Sequence, residues 1–116
     1  MNPGTRACVA AAAMMAVNGK SVSSIYDYSA GGHRSVGGQI SGNNVSIYDY
    51  QRSCHFSGSL PSLYDYGTGS HVQLTVSGKN FTGYDYATGN HFSGSVSGTS
   101  VNLYDYEDAQ HHSFSA

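Results

Sequence analysis

The tripeptide Tyr-Asp-Tyr occurs five times in this chain, at Tyr26-Asp27-Tyr28, Tyr48-Asp49-Tyr50, Tyr64-Asp65-Tyr66, Tyr84-Asp85-Tyr86 and Tyr104-Asp105-Tyr106. These copies hold all ten tyrosines. In each, a histidine follows the second tyrosine after four intervening residues, giving His33, His55, His71, His91 and His111; only His112 stands outside the rule. A repeat this regular constrains architecture, because each unit buries its apolar face only against its neighbours.

The best-formed unit runs from Tyr84 to Tyr106. Two turn signals alternate in it, Ala87-Thr88-Gly89-Asn90 and Ser97-Gly98-Thr99-Ser100, separated by segments rich in β-branched and aromatic residues. That pattern predicts consecutive hairpins. Gly at the first position of a two-residue loop suits a type II′ turn, and the loop recurs as Ser77-Gly78-Lys79-Asn80 and Ser41-Gly42-Asn43-Asn44. Pairing Val96 with Val101 puts Ser93 opposite Tyr104 and Phe92 opposite Asp105. Extending the same ladder through the other turn puts Tyr84 opposite Ser93 and Tyr86 opposite His91, so that His91 lies between Tyr86 and Tyr106.

Side chains alternate faces along a strand. One face then carries the tyrosines, the histidines, Ser93, Ser95 and Asn102. The other carries Phe92, Gly94, Val96, Val101, Leu103 and the aspartates, and is the face expected to be buried. Successive copies are 22, 16, 20 and 20 residues apart, counted from Tyr26 through Tyr48, Tyr64 and Tyr84 to Tyr104. Only even changes occur, as they must if the faces are not to swap. The short unit loses two residues from each strand and turns at Leu60-Pro61. The long unit is expected to place its extra pair near Gly37-Gly38, as a bulge or kink.

The predicted fold is mainly β: an antiparallel meander of about ten short strands from Val22 to Phe114. An open or curled single sheet is expected in preference to a closed barrel, because a repeated unit with one shortened hairpin closes awkwardly. At 116 residues the chain reads as one domain, 1–116, with an Ala-rich segment over 1–21 and hairpin repeats over 22–116. The stretch Ala7–Val17 predicts a helix, with Thr5 as its cap and Asn18-Gly19 as its end. The competing reading makes it an extra strand, since Val17–Val22 copies the loop Val76–Phe81. A small-sided helix packed on the apolar face would complete a core that is otherwise thin: Leu, Ile, Val and Phe together are about a sixth of the residues.

Charged residues are 10% and the net charge is −2, so no basic patch exists for nucleic acid phosphates. Eleven apolar residues are too few to span a bilayer. With one basic residue ahead of weakly hydrophobic alanines they make an unconvincing signal peptide, which favours a cytoplasmic setting. Cys8 and Cys54 can pair or stay free. In general look the chain resembles a small bacterial Tyr-Asp-Tyr repeat protein, and that resemblance implies no activity.

Each repeated feature has a chemical and a structural reading. Asp27, Asp49, Asp65, Asp85 and Asp105 suggest metal or acid–base work, but alternate strands lie roughly 9–10 Å apart, and an Asp at a strand end caps turn amides. The five repeat histidines suggest a metal comb; a cross-strand Tyr-His-Tyr ladder explains them with less. His111-His112 is a weak metal pair, since neighbours on a strand point apart. The same geometry weakens Cys54-His55 as a nucleophile and base. The tyrosines are either strand formers or exposed rings that stack on a sugar or a partner surface. No phosphate loop or catalytic motif occurs. The expected function is therefore non-enzymatic, with no cofactor and no metal: a structural, self-associating or protein-partner-binding module, with a homo-oligomer or a protein as partner. The alternative is binding of a glycan or similar polymer through the face made by Tyr26, Tyr28, Tyr48, Tyr50, Tyr64, Tyr66, Tyr84, Tyr86, Tyr104 and Tyr106 with the five repeat histidines, and the third and least favoured reading is metal binding by those histidines.

Overall fold

The computed structural model describes residues 1–116 as one helix and one sheet. The helix α1 (Pro3–Asn18) is followed by eleven strands: β1 (Ile25–Asp27), β2 (Gly32–Arg34), β3 (Val36–Ser41), β4 (Asn44–Asp49), β5 (Cys54–Ser59), β6 (Ser62–Asp65), β7 (Ser70–Ser77), β8 (Asn80–Asp85), β9 (Asn90–Ser97), β10 (Ser100–Asp105) and β11 (Gln110–Ser115). All pairings are antiparallel. Their order is β2-β1-β11-β10-β9-β8-β7-β6-β5-β4-β3.

The sheet is curled, one of the two expected forms, and it curls into a nearly closed barrel. Its two edge strands, β2 and β3, follow each other in the chain with only Ser35 between them. Val22 then bridges to Gly38 through both backbone hydrogen bonds, at 3.2 and 2.8 Å. Both glycines of the β3 edge serve packing: a Cβ on Gly37 would lie 3.1 Å from the Val22 carbonyl oxygen, and one on Gly38 only 2.0 Å from that of Ser46.

Curling follows from a register that differs from the expected one. Tyr84 lies opposite His91, not Ser93, because the Asp85 turn keeps Tyr86 out of the ladder and closes it at Asp85–Asn90. Across the other side of β9 the expected pairing of Ser93 with Tyr104 stands. Each passage through a histidine strand therefore advances the register by two residues, as at Ser57–Tyr64 and Gln73–Tyr84. The advance is larger at Gly37–Tyr48 and Tyr26–Ser115. A consistent stagger is what tilts strands enough to close a barrel; the symmetric ladder read from the sequence has none. The extra pair of the long unit also lies elsewhere than expected. Arg34 and Ser35 are the added residues, at the break between β2 and β3, while Gly37 and Gly38 pair regularly with β4.

The two-residue loops behave as type II′ turns: Gly42, Gly78 and Gly98 have φ of 60, 62 and 58°, and the residues after them do not have positive φ. The faces alternate as the sequence implies, with Phe56, Phe81, Phe92, Leu63, Leu74, Leu103 and the aspartates inside.

The helix fills the barrel. Every residue from Gly4 to Met15 is buried, so α1 has no solvent side and needs none of the amphipathic stripe of a surface helix. Five of its six alanines, Ala7 and Ala10–Ala13, are fully buried and let it fit within a ring of larger strand side chains. Sixteen residues at 1.5 Å rise make about 24 Å, and the helix runs from one barrel end to the other: Thr5 bonds Asp65 at the Tyr-Asp-Tyr end, and Asn18 Nδ2 donates to the carbonyl of Gly98 in a hairpin loop at the opposite end (2.9 Å). It ends as expected at Gly19, which is left-handed (φ 67°). Its cap is Asn2, not Thr5: Asn2 Oδ1 accepts from Gly4 N (2.8 Å) and Thr5 N (3.4 Å). Thr5 lies one turn inside, buried against the sheet.

Candidate functional site: a tyrosine–histidine belt outside, a carboxylate ring inside

The Tyr-Asp-Tyr copies all lie at the barrel end where α1 begins, and each copy divides between two surfaces. Outside, the first tyrosine of each repeat is the centre of a three-ring cluster. Tyr84 packs edge-on against Tyr86 (4.8 Å between centroids) and against His91 (4.7 Å). The same contacts recur at Tyr26 with Tyr28 and His33, Tyr48 with Tyr50 and His55, Tyr64 with Tyr66 and His71, and Tyr104 with Tyr106 and His111, all within 4.7–4.9 Å. Edge contacts at this separation suit the ring quadrupoles. The expected ladder running from repeat to repeat is instead five clusters, each closed within its own hairpin, because the stagger pairs each histidine with its own tyrosine. The second tyrosines are the exposed members, from 55% at Tyr106 to 64% at Tyr50.

Inside, Asp27, Asp49, Asp65, Asp85 and Asp105 are all buried. In each, Oδ1 accepts from the amide two residues on: Ser29, Gln51, Gly67, Ala87 and Glu107, at 2.8–3.1 Å. The second oxygens of three of them meet the plugged end of the barrel. Arg52 Nε donates to Asp49 Oδ2 (2.6 Å) and its Nη1 to Asp65 Oδ2 (3.1 Å), joining two repeats. Thr5 Oγ1 donates to Asp65 Oδ2. Arg6 reaches Asp105 at 3.6 Å. The positive end of the helix dipole faces this ring. Burial opposes the charge of Arg52, but the bonds to Asp49 and Asp65 outweigh it and hold the guanidinium above its ordinary range. Glycine makes room for it: a Cβ on Gly4 would lie 2.2 Å from Arg52 Nε.

Two basic residues at this end, Arg52 and Arg34, escaped sequence reasoning, and His112 figures in the sequence only as half of a metal pair with His111. Arg52 is the one basic residue in any of the five Tyr-Asp-Tyr turns, which was a usable signal. His112 and Arg34 occupy the position after the repeat histidine that is apolar in Phe56, Val72 and Phe92, and both are buried. His112 bonds Ser29 Oγ (2.6 Å) and Asp108 Oδ2 (2.8 Å), tying the first Asp turn to the last. Burial opposes charge on Asp108, but the His112 bond and Arg6 hold its carboxyl below the usual range. Asp105, Asp108 and His112 gather within 4.8 Å of one another, yet Arg6 Nη1 already faces both carboxylates at 3.6 and 3.9 Å, so the cluster has an internal cation. His111 is exposed while His112 is buried, on opposite faces. Cys8 and Cys54 are free thiols. Burial pushes Cys8 up to about 12, and burial likewise raises Cys54, against the thiolate a nucleophile requires.

No helix is long and apolar enough to cross a membrane. Comparison with protein-family models, curated proteins and solved structures found no match.

Proposed function

We infer that this protein is a non-enzymatic β-repeat module that works by binding, and that its contact surface is the belt of Tyr–Tyr–His clusters. The observation that carries this is the pair of opposite fates within one tripeptide: the aspartate is consumed by its turn, while the second tyrosine stands more than half exposed in all five copies. Beyond its edge contact with the first tyrosine, each ring leaves most of its surface outward, and five of them at matching places make the kind of extended aromatic surface that marks a contact site. Self-association loses its motive, because the apolar face is covered by α1 in one cluster of 25 buried residues. Catalysis draws no support either: the belt offers five near-equal clusters instead of one asymmetric constellation, and desolvation raises both the buried Cys8 and the partly exposed Cys54 away from the thiolate. Repetition suits a partner that is itself extended or repeated, where several weak contacts act together.

The test is binding of the intact protein to a panel of immobilised neutral polysaccharides, acidic polysaccharides and peptides. Variants replace Tyr28, Tyr50, Tyr66, Tyr86 and Tyr106 by Ser, singly and together. The expected result is a signal on one class that falls stepwise with the number of tyrosines removed, in variants that melting curves show to be folded at the assay temperature. Absence of signal on every surface, or a signal indifferent to removal of all five, overturns the reading.

A further inference from the structure

We propose that the ligand of the belt is an uncharged polyhydroxylated polymer, a neutral glycan chain, laid along the outer face across three adjoining grooves. The proposal rests on the binding-module reading and supplies its ligand class.

Three grooves on the outer face each have one wall formed by a second tyrosine. One, about 550 Å³, lies between His71 and Tyr86 and includes Ser62, Ser70 and Gln73. The next, about 520 Å³, lies between His91 and Tyr106 and includes Gln73, Thr82, Asn90 and Ser93. The third, about 290 Å³, is walled by Tyr28 and includes Ser95, Asn102 and Ser113. Gln73 belongs to both of the first two, and Ser93 and Ser95 are successive outward residues of β9. The first two grooves therefore meet at Gln73 and the third lies beside the second across Ser93 and Ser95, so the three line up across the strands from β6 round to β1. Tyrosine rings recur along it at every second strand, about 9–10 Å apart in the pairing direction.

The chemistry of that path selects among ligands. No Asp, Glu, Lys or Arg lines any of the three grooves, so a phosphate backbone or an acidic polymer gains no counter-charge. The lining is rich in hydroxyls and amides, so an apolar peptide would strand polar groups without partners. A neutral sugar chain satisfies both: its hydroxyls pair with Ser, Thr, Asn and Gln, and its apolar ring faces stack on tyrosine. The open grooves suit a chain passing through, not an enclosed small molecule.

Isothermal titration of the intact protein with soluble neutral oligosaccharides of increasing length tests this. Affinity is expected to climb with length until the ligand spans adjoining grooves, and Tyr86→Ser and Tyr106→Ser each to weaken the longest ligand by roughly three- to tenfold. Each variant gives up an edge contact with Tyr84 or Tyr104 but no core packing, so both stay folded at the assay temperature, as a melting curve checks. Binding that is independent of length, or unchanged in both variants, overturns the proposal. Absence of binding by every neutral oligosaccharide also overturns it. In that case tyrosine-dependent binding to a peptide or acidic surface leaves the module reading standing, and absence of binding to any surface removes both.

Discussion

Gly83 and Phe92 lie opposite each other on β8 and β9, and the Phe92 ring occupies the space a side chain on Gly83 would take. A Cβ there would sit 2.2 Å from Phe92 Cζ and 2.1 Å from the backbone oxygen of Gln73. Gly94 stands in the same relation to Phe81, at 2.5 Å from Cζ. Glycine in a strand ordinarily weakens it, so alanine would be expected to help by about 0.5–1 kcal/mol. Here the steric term wins. Gly83→Ala is expected to destabilise by about 1–3 kcal/mol, read as a lower denaturation midpoint; a midpoint at or above wild type would show that Phe92 and β7 can yield.

The same pair shows what the sequence could and could not reveal. Alternation along Phe92, Gly94, Val96, Val101 and Leu103 identified the inner face, and Ser-Gly loops identified the hairpins, because both are local. The position of Tyr86 was not legible from alternation, since shifting the ladder by two residues leaves every face unchanged. That shift is what turns an open ladder into a staggered one and encloses α1. Alanines compatible with any helix gave no sign that this one would be surrounded. Arg52, His112 and Arg34 break the repeat, and a repeat read through its consensus conceals the positions where it departs.

Asp65 and Asp85 occupy equivalent places with different partners. Asp85 Oδ1 accepts from Ala87 N at 3.1 Å and its Oδ2 from Thr88 Oγ1 at 3.2 Å; an asparagine oxygen can accept the first, and its amide nitrogen can donate to the Thr88 hydroxyl in place of the second. Asp65 holds Arg52 and Thr5 besides its turn amides. Asp85→Asn is expected to cost about 1 kcal/mol or less, and Asp65→Asn about 2–3 kcal/mol, the range for bonds to charged groups. Equal losses in chemical denaturation would mean that the Arg52 bridge contributes nothing beyond its neighbours.

Alkaline pH should weaken the fold through Cys8. Its thiol ionises near 9.0 when exposed and near 12 when folded, because burial disfavours the thiolate and Asp49 repels it. The folded state therefore keeps a proton that the unfolded state releases, so Cys8 contributes stability below pH 9 that is lost as pH rises toward 12. The stability difference between wild type and Cys8→Ala should change in favour of the variant across that window. A difference constant from neutral pH to pH 11 would rule this out.

Ala109 has φ 55° at the position where Gly31, Gly69 and Gly89 have φ of 71, 71 and 70°. The left-handed conformation costs a residue with a Cβ roughly 1–2 kcal/mol, and glycine gives back about 0.5–1 kcal/mol in chain entropy. Ala109→Gly is therefore expected to raise stability by about 0.5–1 kcal/mol, visible as a higher melting temperature, and Ser53→Gly (φ 55°) to act in the same direction. A decrease in both would place the preference for Ala and Ser in contacts of the side chains themselves.

Ala11 is fully buried in a helix enclosed on all sides, and the surrounding Phe, Leu and Ile side chains come from a sheet whose circumference is fixed by its hydrogen bonds. On a surface helix Ala→Leu is close to neutral, since both are strong helix formers. Inside this barrel the added carbons have nowhere to go unless the sheet opens, and its weakest closure is the Val22–Gly38 bridge. Ala11→Leu should destabilise by about 1–3 kcal/mol or more and speed amide exchange at Val22 and Gly38 ahead of the β8–β9 ladder. Loss of protection spread evenly over all strands would show that the barrel yields as a whole and not at its seam.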